Sequence, residues 1–248
     1  MAGLKNYRAI VTGGLSGIGK AIVEAYVRAG AKVAVLDRDA ASDEFRSALP
    51  SVTVIPCDIS NPDSTRDAFD QACHGLGGLD IAVANAGISQ NCPTFDLDFA
   101  GWRKVMSVNL DGVFLTAHEA GRRMKDSGGS IIMTASMYGV VAAPERVGYC
   151  TSKAGVVMMA KALAIEWAKL GIRVNAIAPG YVKTALVEDL AARGRLDIDK
   201  LTGRIPMGRL ITTDEIADAA CFLASDQARA ITGQVLGVDG GWTAYGYL

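Results

Sequence analysis

The sequence predicts an α/β fold with a parallel sheet covered by helices on both sides, on three observations. Short β-branched runs, apolar on both faces, alternate with longer helical stretches, as expected for strands buried between helical layers. A glycine-rich segment falls between the first strand and the first helix. An acid closes the second strand about twenty residues later, where a dinucleotide-binding unit needs one.

The strands read in order as 8–12, 32–37, 52–57, 79–84, 130–135, 172–178 and 234–239. The clearest helices are 17–30, 102–125 and 151–170. No repeat, low-complexity tract or linker divides the 248 residues, so one continuous domain over 1–248 is expected. Residues 183–209 break the rhythm. They are mixed in charge, contain Gly194, Gly203 and Pro206, and show no strand pattern. A long insertion of this kind reads as a substrate lid, with a peripheral helical excursion as the plainer alternative.

Composition narrows the function. Lys and Arg total 25 against 26 Asp and Glu, a net charge of −1, so no basic excess points to nucleic acid or an anionic membrane surface. No apolar run reaches membrane-span length, and residues 1–8 lack a signal-peptide core. The five cysteines, Cys57, Cys73, Cys92, Cys150 and Cys221, form no CxxC pair. Their odd number suits free thiols in a reducing, cytoplasmic setting. His74 and His118 show no metal-ligand spacing, and no metal site is expected.

The segment Thr12-Gly13-Gly14-Leu15-Ser16-Gly17-Ile18-Gly19 departs from strict GxGxxG but keeps its physics. Glycines allow a tight turn and close approach of backbone N–H groups to a pyrophosphate, and the helix N-terminus favours its charge. Asp37 is placed to accept both ribose hydroxyls of adenosine and to repel a 2′-phosphate, which favours NAD over NADP. Arg38 beside it is able to pair with such a phosphate, but Leu15 and Ser16 offer no second cation.

Tyr149 and Lys153 stand four residues apart, thirteen after Ser136. One helical turn puts both side chains on one face. An ammonium beside a phenol stabilises the phenolate and would draw the Tyr149 pKa from about 10 toward neutral. Such a group exchanges a proton with an alcohol at physiological pH, and Ser136 is placed to bond the same oxygen.

Taken together, the chain resembles the short-chain dehydrogenase/reductase family, in its single-domain branch of about 250 residues, over nearly its whole length. The resemblance implies a three-layer, Rossmann-like, doubly wound sheet of seven parallel strands. It also implies a cofactor site built from the loop above, from Asp58 with Ile59, and from Asn85-Ala86-Gly87. In that last motif Ala84 replaces the family's usual first asparagine. Pro179, Gly180, Val182 and Thr184 match the segment that holds the nicotinamide carboxamide, and Gly233–Gly241 match the last strand's signature. Asn109, Ser136, Tyr149 and Lys153 match the catalytic set: acid/base for Tyr149, ribose binding and pKa lowering for Lys153, carbonyl polarisation for Ser136, and a water-linked relay for Asn109.

The implied reaction is NAD-dependent interconversion of a secondary alcohol and a ketone. Substrate-pocket candidates are Gln90, Asn91, Met137, Tyr138, Val141, Glu145 and Arg146, each with packing or a solvated loop as the alternative. The polar members suit a polyol, sugar or other small hydroxy compound. A carrier-bound 3-oxoacyl ester reduced with NADPH is the runner-up, and a catalytically silent cofactor-binding regulator the alternative of another class. The insertion sets Arg193, Arg195, Lys200 and Arg204 against Glu188, Asp189, Asp197 and Asp199, a balance that establishes no anionic substrate. An apolar helix near 155–165 and the aromatic tail, with Tyr245 and Tyr247, suggest a homotetramer.

Overall fold

A computed structural model describes residues 3–194 and 196–246; Arg195 and Tyr247, singled out above, lie outside the described residues. The main sheet has seven strands: β1 (Arg8–Thr12), β2 (Lys32–Asp37), β3 (Thr53–Pro56), β4 (Ile81–Ala84), β5 (Gly129–Thr134), β6 (Ile172–Pro179) and, last in the chain, β9 (Val235–Val238). Their spatial order is β3-β2-β1-β4-β5-β6-β9, and every pairing is parallel. The order reverses direction between β1 and β4. In a doubly wound sheet the crevice beyond the strands' carboxyl ends at that reversal is where ligand binds.

The two-residue alternation of side chains explains the layers. Ala9, Val11, Val33, Val35, Ile81 and Val83 face one core with α1 (Gly17–Arg28), α2 (Asp43–Ala48) and α9 (Thr213–Ala224). Ile10, Ala34, Leu36, Ala82 and Ala84 face the other, with α3 (Pro62–Leu76), α5 (Gly112–Met124) and α6 (Val147–Trp167). Both faces of these inner strands are therefore spent on packing, and the polar work falls largely to the strand ends.

Three elements differ from the sequence reading. The single helix expected over 102–125 is α4 (Phe99–Met106) and α5 joined by a π-helical turn at Ser107–Asp111. The one extra residue in that turn seats Asn109, fully buried, on the α6 side, and such bulges recur at functional sites. The last predicted helix begins four residues earlier, at Val147, so Tyr149 and Lys153 are both helical. The insertion over 183–209 is bracketed by two short strands not expected from the sequence: β7 (Val182–Lys183) pairs in parallel with β8 (Ile211–Thr212). Those two short strands pin the base of α7 (Ala185–Ala192) and α8 (Ile198–Arg204). Its charges are largely satisfied locally, by Arg193–Asp189 at 2.9 Å, Lys183–Glu188 at 3.7 Å and Asp197 capping α8.

Arg173 on β6 closes the other end of the molecule. Its guanidinium donates to the carbonyls of Leu223 (2.7 Å), Ala224 and Ser225 (both 3.3 Å) and Ile231 (3.4 Å), groups left without intrahelical partners where α9 ends. Arg173→Met is expected to destabilise the fold by about 2 kcal/mol, read as a lower urea midpoint with an unchanged slope.

Candidate active site

A cleft of about 590 Å³ opens at the carboxyl ends of the strands. Its first wall is the turn from β1 into α1. Gly13 adopts φ +64°, and a Cβ there would meet the Ala86 backbone at 2.9 Å. A Cβ on Gly19 would overlap the Gly13 carbonyl oxygen, so only glycine lets the helix start this close to the strand. Ser16 gives α1 no side-chain cap, which leaves its first N–H groups directed to the cleft. Uncapped donors at a helix N-terminus suit a pyrophosphate.

Asp37 stands at the far end of this wall. Its carboxylate accepts from Leu15 N at 3.2 Å and Asp39 N at 3.1 Å, which fixes its orientation. Arg38 is exposed and lies 3.7 Å from Asp39. The Ser60 hydroxyl and N–H, at 2.7 and 2.9 Å, hold the Asp58 carboxylate low. A glycine cradle, free helix donors and a fixed acid make a donor set that fits an adenine dinucleotide.

A polar network joins this end to the Tyr149–Lys153 end. Thr12 Oγ1 accepts from Asn85 N and Ala86 N, at 3.0 and 3.2 Å. Asn85 Nδ2 donates to the Thr12 and Gly13 carbonyls, both at 3.1 Å, and Asn85 Oδ1 accepts from Thr134 Oγ1 at 3.3 Å. The Thr134 carbonyl in turn accepts from Lys153 Nζ at 2.7 Å.

Tyr149 and Lys153 share a face of α6, with Lys153 Nζ 5.9 Å from the Tyr149 ring centroid. Ser136, two residues beyond β5, caps a short 3-10 segment, where its hydroxyl accepts from Tyr138 N at 3.1 Å. Asn109 does not line the cleft. Its amide clamps the Ile88 backbone, accepting from N at 2.7 Å and donating to O at 2.9 Å, and reaches Ser152 Oγ at 3.4 Å. A Cβ on Gly87 would lie 3.2 Å from Asn109 Oδ1 and 3.5 Å from Lys153 Nζ, so the two groups flank one glycine.

One electrostatic expectation is corrected. Tyr149 is not drawn toward neutral. Burial pushes its pKa up, with the Ser136 hydroxyl and then the Arg146 guanidinium opposing that rise. Lys153 is directed at the Thr134 carbonyl, and burial depresses its own pKa to about 8. Burial is the largest cause at Tyr149 and the cause at Lys153, and neither shift is set by the other group.

Of the cofactor residues expected from the sequence, all line the cleft except Leu15, which contributes its backbone N–H to Asp37. Among the substrate candidates, Asn91, Met137, Tyr138 and Arg146 line it; Gln90, Val141 and Glu145 do not. The Gln90 side chain instead packs beside Gly148 and Gly101 with its Oε1 unpartnered. Glu145 takes a left-handed φ of +62° and is exposed. Sequence reasoning missed Tyr181, which follows Gly180 directly, and Val187, Leu190 and Leu196 on the insertion. Tyr181 was signalled by its neighbour. The other three depend on how α7 folds back and left no local signal.

The buried ammonium has a measurable cost. Because the folded pKa of Lys153 lies below the unfolded value, the unfolded chain binds more protons between about pH 8 and 10.5, and stability rises with pH there. Lys153→Met removes this titration. The wild type is expected to gain on the order of 3 kcal/mol relative to that variant across the window, measured by denaturant melts at stepped pH. A constant difference would exclude a buried, titrating Lys153.

Comparison with known proteins agrees with this geometry. A family model described as enoyl-(acyl carrier protein) reductase matches residues 13–243. A cis-4-hydroxycyclohexanecarboxylate dehydrogenase of Sinomonas cyclohexanicum is 39% identical over 242 residues, covering 95% of this chain and 96% of that protein. A D-threitol dehydrogenase of Mycolicibacterium smegmatis is 40% identical over 243 residues, covering 95% and 92%. A solved short-chain type dehydrogenase/reductase from Mycobacterium marinum matches with a TM-score of 0.92 at 39% identity, covering 98% of both chains. With its parallel seven-stranded sheet, glycine cradle and Ser-Tyr-Lys cluster, the chain belongs to the short-chain dehydrogenase/reductase family of nicotinamide-dependent oxidoreductases.

Proposed function

We propose that the protein is a cytoplasmic, NAD-dependent dehydrogenase that interconverts a secondary alcohol and a ketone on a small hydroxy compound. The observation that carries this reading is the shared cleft. A fixed Asp37 closes one end, and Ser136, Tyr149 and Lys153 converge at the other. When bound, the nicotinamide supplies or accepts the hydride. Tyr149 takes the hydroxyl proton in oxidation and returns it in reduction. Ser136 holds the reacting oxygen and favours the ionised phenol. Lys153 holds the cofactor's ribose and, with Asn109 beside Gly87, passes the proton onward.

Asp37 supports NAD over NADP, because a carboxylate there meets ribose hydroxyls well and a phosphate badly. Arg38, the residue able to reverse that choice, is drawn toward Asp39. The segment 183–209 acts as the lid, with α7 bringing Val187 and Leu190 to the cleft. Phe114 on α5 and Met158 and Ile165 on α6 are exposed apolar groups, which supports association into a homotetramer. The names of the relatives, one for a hydroxy carboxylate and one for a polyol, support a hydroxylated small molecule as the substrate class.

Two substitutions test this reading. Tyr149→Phe is expected to abolish alcohol-dependent NADH formation by about 1,000-fold or more while NADH still binds, followed by its fluorescence. Unchanged turnover would remove Tyr149 from the chemistry. Asp37→Ala is expected to lower kcat/KM for NAD by about tenfold or more and to narrow the gap to NADP, in steady-state assays with both cofactors. A wild type that prefers NADP would overturn the role given to Asp37.

A further inference from the structure

Charge is unevenly distributed along the cleft. Asp37, Arg38, Asp39 and Asp58 lie at the β2–β3 end, and Arg146 and Lys153 at the Tyr149 end. Lys153 is occupied by the Thr134 carbonyl. Arg146 is not similarly occupied. Its guanidinium rests over the Tyr138 ring, 5.3 Å from the centroid, and no carboxylate of the described residues lies within ion-pair distance of it. A ring face holds a guanidinium in place without using its N–H donors. Arg146 is also close enough to the phenol of Tyr149 to favour its ionisation. As the N-cap of α6 it offers no side-chain cap, so the positive end of a 21-residue helix adds to the same field.

Ser89 and Asn91 line the cleft, but several other groups that would read hydroxyls are taken or turned away. The Tyr138 hydroxyl is taken by Tyr181 Oη at 2.8 Å. Leu190 and Leu196 present apolar surface, and Met137 is buried behind the lining. Gln90 and Glu145, which would have read extra hydroxyls, face elsewhere. One fixed cation facing the apolar Leu190 and Leu196 is the complement of a molecule with one anion and an apolar body.

We propose that Arg146 is a specificity-determining residue that binds a carboxylate, and that the substrate is a secondary hydroxy acid or its keto acid. The reading deepens the proposed function and rests on it. The Arg146 fork takes the carboxylate in a bidentate pair, while Tyr149 and Ser136 take the hydroxyl at the other end of a short apolar spacer. No step is added to the chemistry; the pair sets which alcohol reaches Tyr149.

The test compares linear and cyclic hydroxy carboxylates, each beside its uncharged carboxamide, with simple polyols in parallel and both NAD and NADP. Wild type is expected to favour acid over amide by about 100-fold in kcat/KM, most of it in KM. Arg146→Gln is expected to bring that ratio close to one, and Arg146→Lys to recover part of it. NADH binding by each variant, read by fluorescence, reports that the cleft is intact. An equal wild-type preference for acid and amide, or a ratio that Arg146→Gln leaves unchanged, would overturn the assignment. Turnover of polyols without turnover of any hydroxy acid would overturn it too, yet leave the dehydrogenase reading standing. No alcohol oxidised with either cofactor, with NADH still bound, would overturn both.

Discussion

The amide of Asn85 is the constraint on which the site depends. With Thr12 and Thr134 it fastens the carboxyl ends of β1, β4 and β5 together, through bonds of 3.0 to 3.3 Å. These are the strand ends that a doubly wound sheet leaves splayed, because its order reverses there. One side of the network carries the Gly13 carbonyl and so the glycine turn; the other carries the Thr134 carbonyl and so Lys153. The glycine turn and the Lys153 ammonium are therefore positioned by the same few polar groups. Each is buried or half-buried among partners, where a bond lost costs more than a bond gained returns.

That arrangement places Lys153 and Tyr149 where solvent would not choose to put them. Lys153 is held as a buried amine with a pKa near 8, and burial drives Tyr149 the other way. Neither shift favours the charged pair. The Ser136 hydroxyl and the Arg146 guanidinium work against the rise at Tyr149, so the phenol is tuned from the segment after β5 and from the start of α6. Stability and reactivity are in tension at this cluster, and the surrounding core supplies the difference.

Much of this was legible in the sequence, for a physical reason. Strands apolar on both faces admit few other fates, so all seven were found within about two residues of their ends. The glycine turn, Asp37 and the Tyr149–Lys153 spacing encode local geometry, which a linear pattern can hold. What the pattern missed is non-local. The π-turn at Ser107–Asp111 contains no breaker and reads as ordinary helix. Gln90 and Glu145 were placed near the substrate by proximity along the chain, but the fold of Gln90 against Gly148 and the left-handed turn at Glu145 direct them away. Leu190 and Leu196 reach the cleft only because β7 and β8 pin the insertion's ends together.

The aromatic contacts behind the pocket reach further than the substrate end. From Arg146 and Tyr138 they run through Tyr181 to Trp242, whose ring centroid is 5.4 Å from that of Tyr181. Arg204 of α8 then lies over both Trp242 and Tyr245, at 4.8 and 4.9 Å, and donates to the Tyr245 carbonyl at 2.7 Å. The C-terminal tail is thus fastened to the back wall of the cavity. A change that displaces Trp242 or Arg204 is therefore passed to Tyr181, which lines the cleft. An engineer wishing to reshape selectivity without touching any residue in the cleft has a remote handle at Trp242 and Arg204.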